Sequence, residues 1–391
     1  MTKRRTLFCI ITGFFWFSLY AYVPQLTRYA KEMGASYKMI GLIAGAYGLS
    51  QTIIRIPLGI LSDSLNKRKI FITFGILTTI ASAALIFIWP NVYTLLLGRF
   101  LAGVAAATWV NFTVMFSSYY KNSESTKAIG IINSANKVGQ LLAMLIGGLI
   151  SLYFGIRYIF LISVIGGIIA LILNSTLDEE ISTVVTTPFQ TKQLIDIIKN
   201  KEILYICFLG IMSQLITFAS VFGFTPLVAL NLGADNFELG LLTMSFNFPQ
   251  IIFVTLSGTI FVKYLGERMT LLIGFGICTF ICILTPFIPS LFILYIVQVF
   301  NGIGNAISFT LLMGLVIKNI GSELRTTIMG FYQAVYGIGM IAGPILLGSI
   351  GDRFGLVIGF VVTGFLGMFA ILSILLSGLN KDKSSGIEIN N

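Results

Sequence analysis

Long apolar runs, separated by short polar and charged segments, dominate the pattern of this chain. A helix needs about 20 apolar residues to cross the hydrocarbon core of a bilayer, and twelve runs come close to that length. The alternation of apolar and polar residues that a membrane-spanning strand requires is not found. The pattern therefore predicts an all-α membrane protein with 12 transmembrane helices, near residues 7–29, 39–62, 70–89, 92–115, 128–150, 156–174, 203–224, 239–261, 270–288, 291–316, 328–349 and 355–377.

The composition agrees with a protein that lies in lipid. Of its 391 residues, 56% are hydrophobic and 10% are charged, whereas a soluble domain carries about 25% charged residues. No Walker loop, zinc motif, nucleophile elbow or dinucleotide fingerprint fits the predicted helices and loops. We therefore expect no enzymatic activity, no cofactor, no metal site and no nucleic-acid partner.

The distribution of lysine and arginine predicts the orientation. With the N-terminus inside, 17 of these cations fall in inner segments and 5 in outer ones, while Arg55, Arg99 and Lys137 lie inside spans. Cytoplasmic loops of membrane proteins carry the excess of positive charge. The basic start of the chain runs into an apolar stretch without a cleavage site. We expect an uncleaved first span, both termini in the cytoplasm, and a multi-pass protein of the cell membrane.

A polar stretch at residues 175–202 interrupts the pattern after the sixth span. Leu194, Ile197 and Ile198 form an apolar stripe near its end, which is typical of a short amphipathic helix on a membrane surface. The stretch predicts three parts: an N-terminal six-helix bundle at 1–174, a cytoplasmic linker at 175–202, and a C-terminal six-helix bundle with a short cytoplasmic tail at 203–391.

The two halves are internal repeats. Glycines recur at an offset of 199 residues, as in Gly34 and Gly233 or Gly103 and Gly302, and later spans keep an offset of 200. Glycine is frequent here, so a single match carries little weight, but a constant offset over five spans does. Parallel halves related by an axis along the membrane normal are a layout of secondary transporters.

The loop after the second span resembles the loop signature of the major facilitator superfamily, G-x-x-x-D-(R/K)-x-G-(R/K)-(R/K). The residues that fit are Gly59, Asp63, Lys67 and Arg68, whereas Ser64 and Asn66 depart from it. The resemblance implies two six-helix bundles around a cavity that opens alternately to each face, with Asp63 in a latch of the cytoplasmic side. Arg55, one turn before Gly59, is expected to brace the same gate. A solvated aspartate in a basic loop is the alternative.

Span four resembles the R-x-x-x-G motif of the same family, with Arg99 and Gly103. A charge at mid-depth costs about 2.5–3.5 kcal/mol on insertion scales, so Arg99 should face protein or water. The resemblance implies that Arg99 handles substrate or a coupling ion. A structural ion pair is the alternative, although no Asp or Glu lies at that depth in any predicted span.

Span eleven resembles the family's antiporter signature, G-x8-G-x3-G-P-x2-G-G. The matching residues are Gly330, Gly339, Gly343 and Pro344. Glycines at this spacing let helices approach closely, and a proline adds a kink. The resemblance implies export and a role in gating. Exporters usually carry the signature in span five, where this chain has Ala143 and Met144 in place of Gly-Pro, and general close packing is the alternative.

Span five places Asn133, Asn136, Lys137 and Gln140 on one helical face near mid-depth. Together with Arg99 they offer two buried cations and several amides, a set that suits an anionic group of a substrate. The other side chains expected to bind substrate are Tyr20, Trp109, Phe218, Asn301, Gln333 and Tyr336. For the amides, the alternative is hydrogen bonding between helices, worth about 0.6 kcal/mol each.

These features predict a secondary active transporter of a small organic solute, with export of an amphipathic or anionic compound as the leading hypothesis. Uptake or exchange of an anionic metabolite is the main alternative, and a membrane sensor that binds a ligand without moving it is a third. The expected partners are the solute, the lipid bilayer and a coupling ion, for which a proton is the candidate; we expect a monomer. All fifteen Asp and Glu residues lie in loops or at span ends, so Lys137 is the candidate proton carrier.

Overall fold

The protein is built of helices, many of which follow one another with short connections. Its computed structural model describes residues 2–65, 67–120, 125–177, 179, 200–318 and 325–377, and no strand occurs in these ranges. The helices of the first half are α1 (Thr2–Tyr20), α2 (Leu26–Glu32), α3 (Tyr37–Leu65), α4 (Lys69–Ile88), α5 (Val92–Ala107), α6 (Trp109–Ser118), α7 (Ser125–Phe154) and α8 (Tyr158–Ser175). Those of the second half are α9 (Lys201–Ala219), α10 (Thr225–Asn231), α11 (Asn236–Leu256), α12 (Val262–Leu284), α13 (Leu291–Ile317), α14 (Arg325–Phe354) and α15 (Leu356–Leu376).

Within these ranges, 11 helical segments are long and apolar enough to cross a membrane. The first predicted span is not among them, because α1 carries Lys3, Arg4 and Arg5 in its first turns. The chain is therefore a multi-pass helical membrane protein, and the count of 12 spans stays a prediction. The expected amphipathic helix of the linker and the tail after Ser377 lie outside the described residues.

The first and seventh predicted spans are interrupted at matching places. The first span leaves the helical conformation after Tyr20 and passes through a segment that contains Pro24 before α2 begins. The seventh contains the π-helical segment Ser220–Phe224, which directly precedes α10 and its Pro226. A proline lacks the N–H group that a continuous helix needs. The apolar pattern predicted the seventh span correctly as a membrane segment, while the first stays a prediction. In neither case could the pattern show the interruption.

Span four is also discontinuous, and it breaks between α5 and α6 at Thr108. The Thr108 N–H donates to the Ala105 carbonyl at 3.0 Å, three residues back rather than four. The Thr108 hydroxyl donates to the same carbonyl at 2.7 Å, and such side-chain bonds compete with the helical ladder. The break lies two turns beyond Arg99. The axis of α6 can therefore differ in direction from the axis of α5, the helix that carries this cation.

The repeat extends to the backbone conformation. Gly34 and Gly233 have φ angles of 79° and 89°, and Gly155 and Gly355 have φ angles of 99° and 88°. These left-handed conformations strain any residue with a Cβ atom. Matched glycines therefore end matched helices in the two halves, which explains why these repeats survive in the sequence.

Basic side chains mark one end of the helices. Lys69 Nζ donates to the Ser175 carbonyl at 3.2 Å, and its repeat counterpart Arg268 donates through Nη2 to the Leu375 carbonyl at 2.5 Å. Arg5 Nε donates at 3.0 Å to a carbonyl just after α6. Cations stabilise the free carbonyls at helix C-termini. We call this end the basic face and the opposite end the far face.

Glycines bring α3 and α5 into backbone contact. A Cβ atom at Gly103 of α5 would overlap the Tyr47 carbonyl oxygen and the Ser50 hydroxyl of α3. The second half repeats the arrangement, since Gly302 of α13 lies against the Phe246 carbonyl oxygen of α11. Small residues at such contacts let membrane helices approach closely. The glycine of the R-x-x-x-G motif therefore places α3 against the helix that carries Arg99.

We expect the substitution Gly103→Val to lower the thermal stability of the detergent-solubilised protein clearly. Overpacking of a close contact costs about 1–3 kcal/mol, and here the obstacle is largely backbone. The matched control is Gly276→Val, because no atom lies within 4 Å of a Cβ built at Gly276. Both variants are compared with the parent protein by size-exclusion chromatography after heating. Equal melting temperatures for all three proteins would contradict the close contact.

Candidate functional site

The two halves meet along α3 and α14 near the far face. A Cβ atom at Gly41 would overlap the Pro344 carbonyl oxygen, and one at Gly48 would lie against Met340. Pro344, a predicted gating residue, thus lies in the contact between the halves. The contact is made by backbone and small side chains, so it closes this side tightly.

Towards the basic face the same two helices separate. Among the described side chains, the last polar contact between them is a hydrogen bond of 2.6 Å, which Arg55 Nη1 donates to Gln333 Oε1. Beyond it, no atom lies within 4 Å of a Cβ built at Gly59 or at Gly330. Gln333 was predicted to bind substrate and Arg55 to brace the gate; the structure brings the two together at the point where the helices diverge.

The second contact between the halves, between α7 and α11, has the same shape. Near the far face a Cβ at Gly240 would press on the Met144 carbonyl oxygen. Gln25 Nε2 donates to the Asn236 carbonyl at 2.9 Å. Near the basic face, Gly130 of α7 has no atom within 4 Å of its Cβ position. Both contacts are therefore closed at the far face and open towards the basic face.

Arg99 lies buried between the faces of two tyrosine rings. Its side chain is 6% exposed, and its guanidinium carbon lies 4.6 Å from the centroid of Tyr47 and 5.9 Å from that of Tyr22. No described residue forms an ion pair or hydrogen bond with it, and its Nε atom has no partner. An arginine keeps its charge in proteins, and a desolvated cation–π contact contributes about 2 kcal/mol. The first half thus holds a positive charge that no described acid neutralises.

Aromatic side chains from both halves gather beside this cation. Tyr47 stacks on Phe218 of the second half, with ring centroids 6.5 Å apart. Tyr20 and Tyr336 pack against the same cluster of buried side chains as Tyr47. Tyr20, Phe218 and Tyr336 are partly exposed, so these rings border space that a solute can enter.

Trp109 belongs to the same wall. It is partly exposed, and its ring meets that of Trp16 edge to face at 5.4 Å, while Trp16 in turn lies 5.6 Å from Tyr20. Tyr47 and Tyr22 were not predicted from the sequence. The one sequence signal that could have pointed to Tyr47 is its position among the glycines of α3, because such glycines indicate a helix face in close contact with another helix.

The second half carries an amide where the first half carries the cation. The offset of 199 residues relates Arg99 to Gln298 and Tyr47 to Phe246. Gln298 is 1% exposed, its Oε1 atom accepts from Asn301 Nδ2 at 3.3 Å, and its Nε2 atom has no partner. Asn301, a predicted binding residue, is therefore buried beside Gln298. The repeat could have revealed this pairing from the sequence, but it was missed.

The polar side chains on this face of α7 differ in their exposure. Asn136 and Gln140 are buried, and Gln140 Nε2 donates to Asn136 Oδ1 at 2.5 Å. Lys137 is partly buried and has no hydrogen bond or ion pair with a described residue, whereas Asn133 is exposed. Since no direct contact joins Lys137 to Arg99 in the described part of the chain, the two cations form separate positive points.

The predicted gating glycines of α14 face their own half. A Cβ at Gly339 or Gly343 would overlap the carbonyl oxygens of Ile211 and Leu215 in α9. These glycines therefore pack α14 onto α9 and leave the face of α14 that carries Pro344 to meet α3.

The basic loop after α3 holds the other predicted gate residues. Lys67 is exposed, and the Arg68 side chain donates to the Ser62 hydroxyl, while its backbone N–H donates to the Glu179 carboxylate. The side chain of Asp63, in the last turns of α3, lies outside the described residues. The role of Asp63 stays a prediction.

A carboxylate that was not predicted closes the far face. Asp352 lies near the end of α14, where its Oδ1 accepts from the Tyr37 N–H at 2.7 Å and its Oδ2 from the Lys38 N–H at 2.9 Å. Tyr37 begins α3, and a helix N-terminus offers free N–H groups and partial positive charge. Asp352 of the second half therefore caps a helix of the first.

Sequence comparisons identify relatives over almost the whole chain. The sequence profile of the Major Facilitator Superfamily matches residues 8–227 and 206–388. An uncharacterised MFS-type transporter of Methanocaldococcus jannaschii is 26% identical over 351 residues, which cover 85% of this chain and 87% of that protein. The multi-drug resistance efflux pump PmrA of Streptococcus pneumoniae is 25% identical over 364 residues, which cover 90% of each chain.

Solved structures share the fold. A bacterial homologue of the human lysosomal transporter Spinster, in an inward-facing and occupied conformation, matches with a TM-score of 0.79 at 14% identity and covers 96% of both chains. The nucleoside transporter NupG also matches with a TM-score of 0.79 at 14% identity, over 97% of this chain and 100% of that one. At this identity the likeness concerns the fold alone.

We expect Arg99→Met to raise the melting temperature of the purified protein by a few degrees. Burial of the unpaired cation costs about 2.5–3.5 kcal/mol, and the two rings return only about 2 kcal/mol. The control is Arg157→Met, since the exposed Arg157 donates to the Phe87 carbonyl at 2.9 Å and its loss should bring no gain. A lower melting temperature for Arg99→Met would mean that Arg99 has a structural role.

Proposed function

The chain belongs to the Major Facilitator Superfamily, and on that premise we propose that it is a secondary active transporter that exports an amphipathic or anionic organic compound. The transporters of this family act on small molecules and lie within the membrane. The proposal extends this to the charge of the substrate and to the direction of transport.

The observation that carries the proposal is the unpaired charge of Arg99. A buried cation that no described acid neutralises is unfavourable in the empty protein. An anionic substrate would supply the missing charge through strong, charge-assisted hydrogen bonds. Lys137, which also has no ion-pair partner among the described residues, would extend the attraction along α7.

The aromatic side chains suit the rest of an amphipathic molecule. Tyr20 and Trp109 of the first half and Phe218 and Tyr336 of the second are partly exposed at mid-depth. Aromatic rings bury a large apolar area at little cost in side-chain entropy. We therefore assign the anionic head of the substrate to the first half and its apolar body to the space between the halves.

Alternating access would follow from two rigid halves that rock against each other. We propose that these are six-helix bundles at 1–174 and 203–391, joined by a linker at 175–202 and acting as a monomer. The closed contacts at the far face and the separated helices at the basic face are those expected when a cavity opens to the basic face. By the positive-inside rule this face, with both termini, would lie in the cytoplasm of a cell-membrane protein.

Export is favoured by two observations. The relative PmrA is named as an efflux pump, and α14 carries the glycines and the proline that resemble the antiporter signature. Uptake or exchange of an anion is the second candidate, because α7 has Ala143 and Met144 where exporters usually have Gly-Pro. A proton is the candidate coupling ion, and Lys137 is its candidate carrier.

In proteoliposomes with an internal pH dye, we expect organic anions to drive proton movement under an imposed proton gradient. Arg99→Met should abolish this flux and still insert normally, and Lys137→Gln should uncouple proton flux from substrate movement. Lys201→Gln, which removes an exposed lysine at the start of α9, is the control and should behave like the parent. Full transport by the Arg99 variant would contradict the assignment of the site.

The same vesicles distinguish the two candidates. Substrate-driven proton flux supports coupled export. Counterflow of substrate against substrate, with no proton movement for any compound, would favour an exchanger and place export second.

We expect Asp63→Asn to reduce the turnover number far more than the substrate affinity. A gating residue changes how fast the protein alternates, while it does not touch the substrate. Initial rates at several substrate concentrations, together with equilibrium binding, separate the two effects. An equal loss in binding would move Asp63 from the gate into the substrate site.

A further inference from the structure

We propose that Asp352 is a latch between the two halves, whose carboxylate holds the far face closed. The inference rests on the proposed function only in assuming that the far face opens during a transport cycle. It concerns the equilibrium between closed and open far faces and is independent of the substrate.

The geometry shows why this contact belongs to one state. Asp352 accepts hydrogen bonds of 2.7 Å and 2.9 Å from the first two N–H groups of α3, the helix that begins at Tyr37. Donor and acceptor belong to different halves of the chain. The bonds can therefore exist only while α14 and α3 are in contact at the far face, and opening of that face must break both.

The matching helix of the second half, α11, is capped by residues of its own half. Helix α11 has a charged cap of its own: Asp235 Oδ1 accepts from the Glu238 N–H at 2.7 Å, and Glu238 Oε2 accepts from the Asp235 N–H at 2.8 Å. This reciprocal pair satisfies two free N–H groups and places negative charge at the helix N-terminus.

Helix α3 lacks a charged cap of its own. The offset of 199 residues relates Asp235 to Ser36, whose hydroxyl accepts from the Met39 N–H at 3.2 Å. The carboxylate that α11 carries beside itself is thus supplied to α3 by Asp352, from the other half. At the position in α7 that repeats Asp352 stands Leu152, which has no carboxylate. The part of the chain that the structure describes therefore holds no matching acidic latch between α7 and α11.

Further charged groups lie around the latch. Lys38 lies in the first turn of α3, Arg353 follows Asp352 in α14, and Lys31 of α2 has its Nζ 5.5 Å from the centroid of the Tyr37 ring. The nearest acid on α2, Glu32, is paired with Arg28 at 2.7 Å. Neither α15 nor the π-helical segment before α10 contributes a charged residue.

The effect of removing the latch follows from these contacts. The carboxylate of Asp352 meets the free N–H groups and partial positive charge at the start of α3 only while the far face is closed. A neutral side chain at position 352 therefore shifts the equilibrium towards opening.

The test measures the opening directly with spin labels. Trp89 and Phe287, exposed residues of the two halves at the far face, are replaced by cysteine in a Cys9→Ala background, since the other three cysteines are buried. Pulsed electron resonance gives the distance distribution between the two labels in lipid nanodiscs.

We expect the ratio of open to closed far faces to be roughly fivefold higher in Asp352→Asn than in the parent, as loss of one charge at a helix N-terminus predicts. Asp352→Ser is a second variant with the same expectation. Asp235→Asn removes the same kind of charge from a cap within one half and should show the parental ratio.

A parental ratio in both Asp352 variants would overturn the latch. An equal rise in Asp235→Asn would overturn it as well, because the effect would then concern helix caps in general. A parent protein that transports no compound, while its Asp352 variants still open the far face, would contradict the proposed function and leave the latch standing.

Discussion

The site depends on the contact between the Arg99 guanidinium group and the faces of two tyrosine rings. No acid in the described part of the chain pairs with this cation. Arg99 cannot shed its charge, so the packing around it has to accommodate the cation. Gly103, one turn further along α5, removes the side chain that would keep α3 away. The resulting backbone contact brings Tyr47 over the guanidinium at 4.6 Å. The arginine and glycine of one motif therefore act together. Gly103 lets α3 pack closely against α5, and this packing places Tyr47 of α3 over the Arg99 guanidinium.

The two halves share a backbone plan and differ in charge. Gly302 and Phe246 reproduce the contact of Gly103 and Tyr47, but Gln298 stands in place of Arg99. At the far face, one half caps its helix with its own acid, while the other receives Asp352 from across the contact. The repeat thus provides two similar halves, and the charge differences are what would make the first half the anion-binding side in the proposed function.

Much of the fold could be predicted, because it follows from periodicity, composition and repeated glycines. The apolar runs predicted the membrane helices, and the loop, R-x-x-x-G and span-eleven motifs predicted the family. Interruptions of the helices at Thr108 and at Ser220–Phe224 could not be predicted, since they depend on local hydrogen bonds that apolar patterning does not record.

The site was harder to predict than the fold. Residue type and helical spacing identified Arg99 and the amides of α7, but not which of them meet. Lys137 shares a helical face with Asn136, yet no described contact joins it to Arg99. The tyrosines around Arg99 were missed because aromatic residues are common in apolar helices. Asp352 was missed because its partners are backbone N–H groups of a helix more than 300 positions earlier in the chain, which no local pattern reveals.

The most direct test of the account compares ligands that differ only in charge. Binding of aromatic carboxylic acids and of their methyl esters is measured through the fluorescence of Trp16 and Trp109, which lie 5.4 Å apart beside the site. If Arg99 binds the anionic group of the substrate, the affinity for an acid should be at least roughly tenfold higher than the affinity for its ester, as one charge-assisted contact predicts. In Arg99→Met the two affinities should be equal. Equal affinities for acid and ester in the parent protein would contradict the central claim.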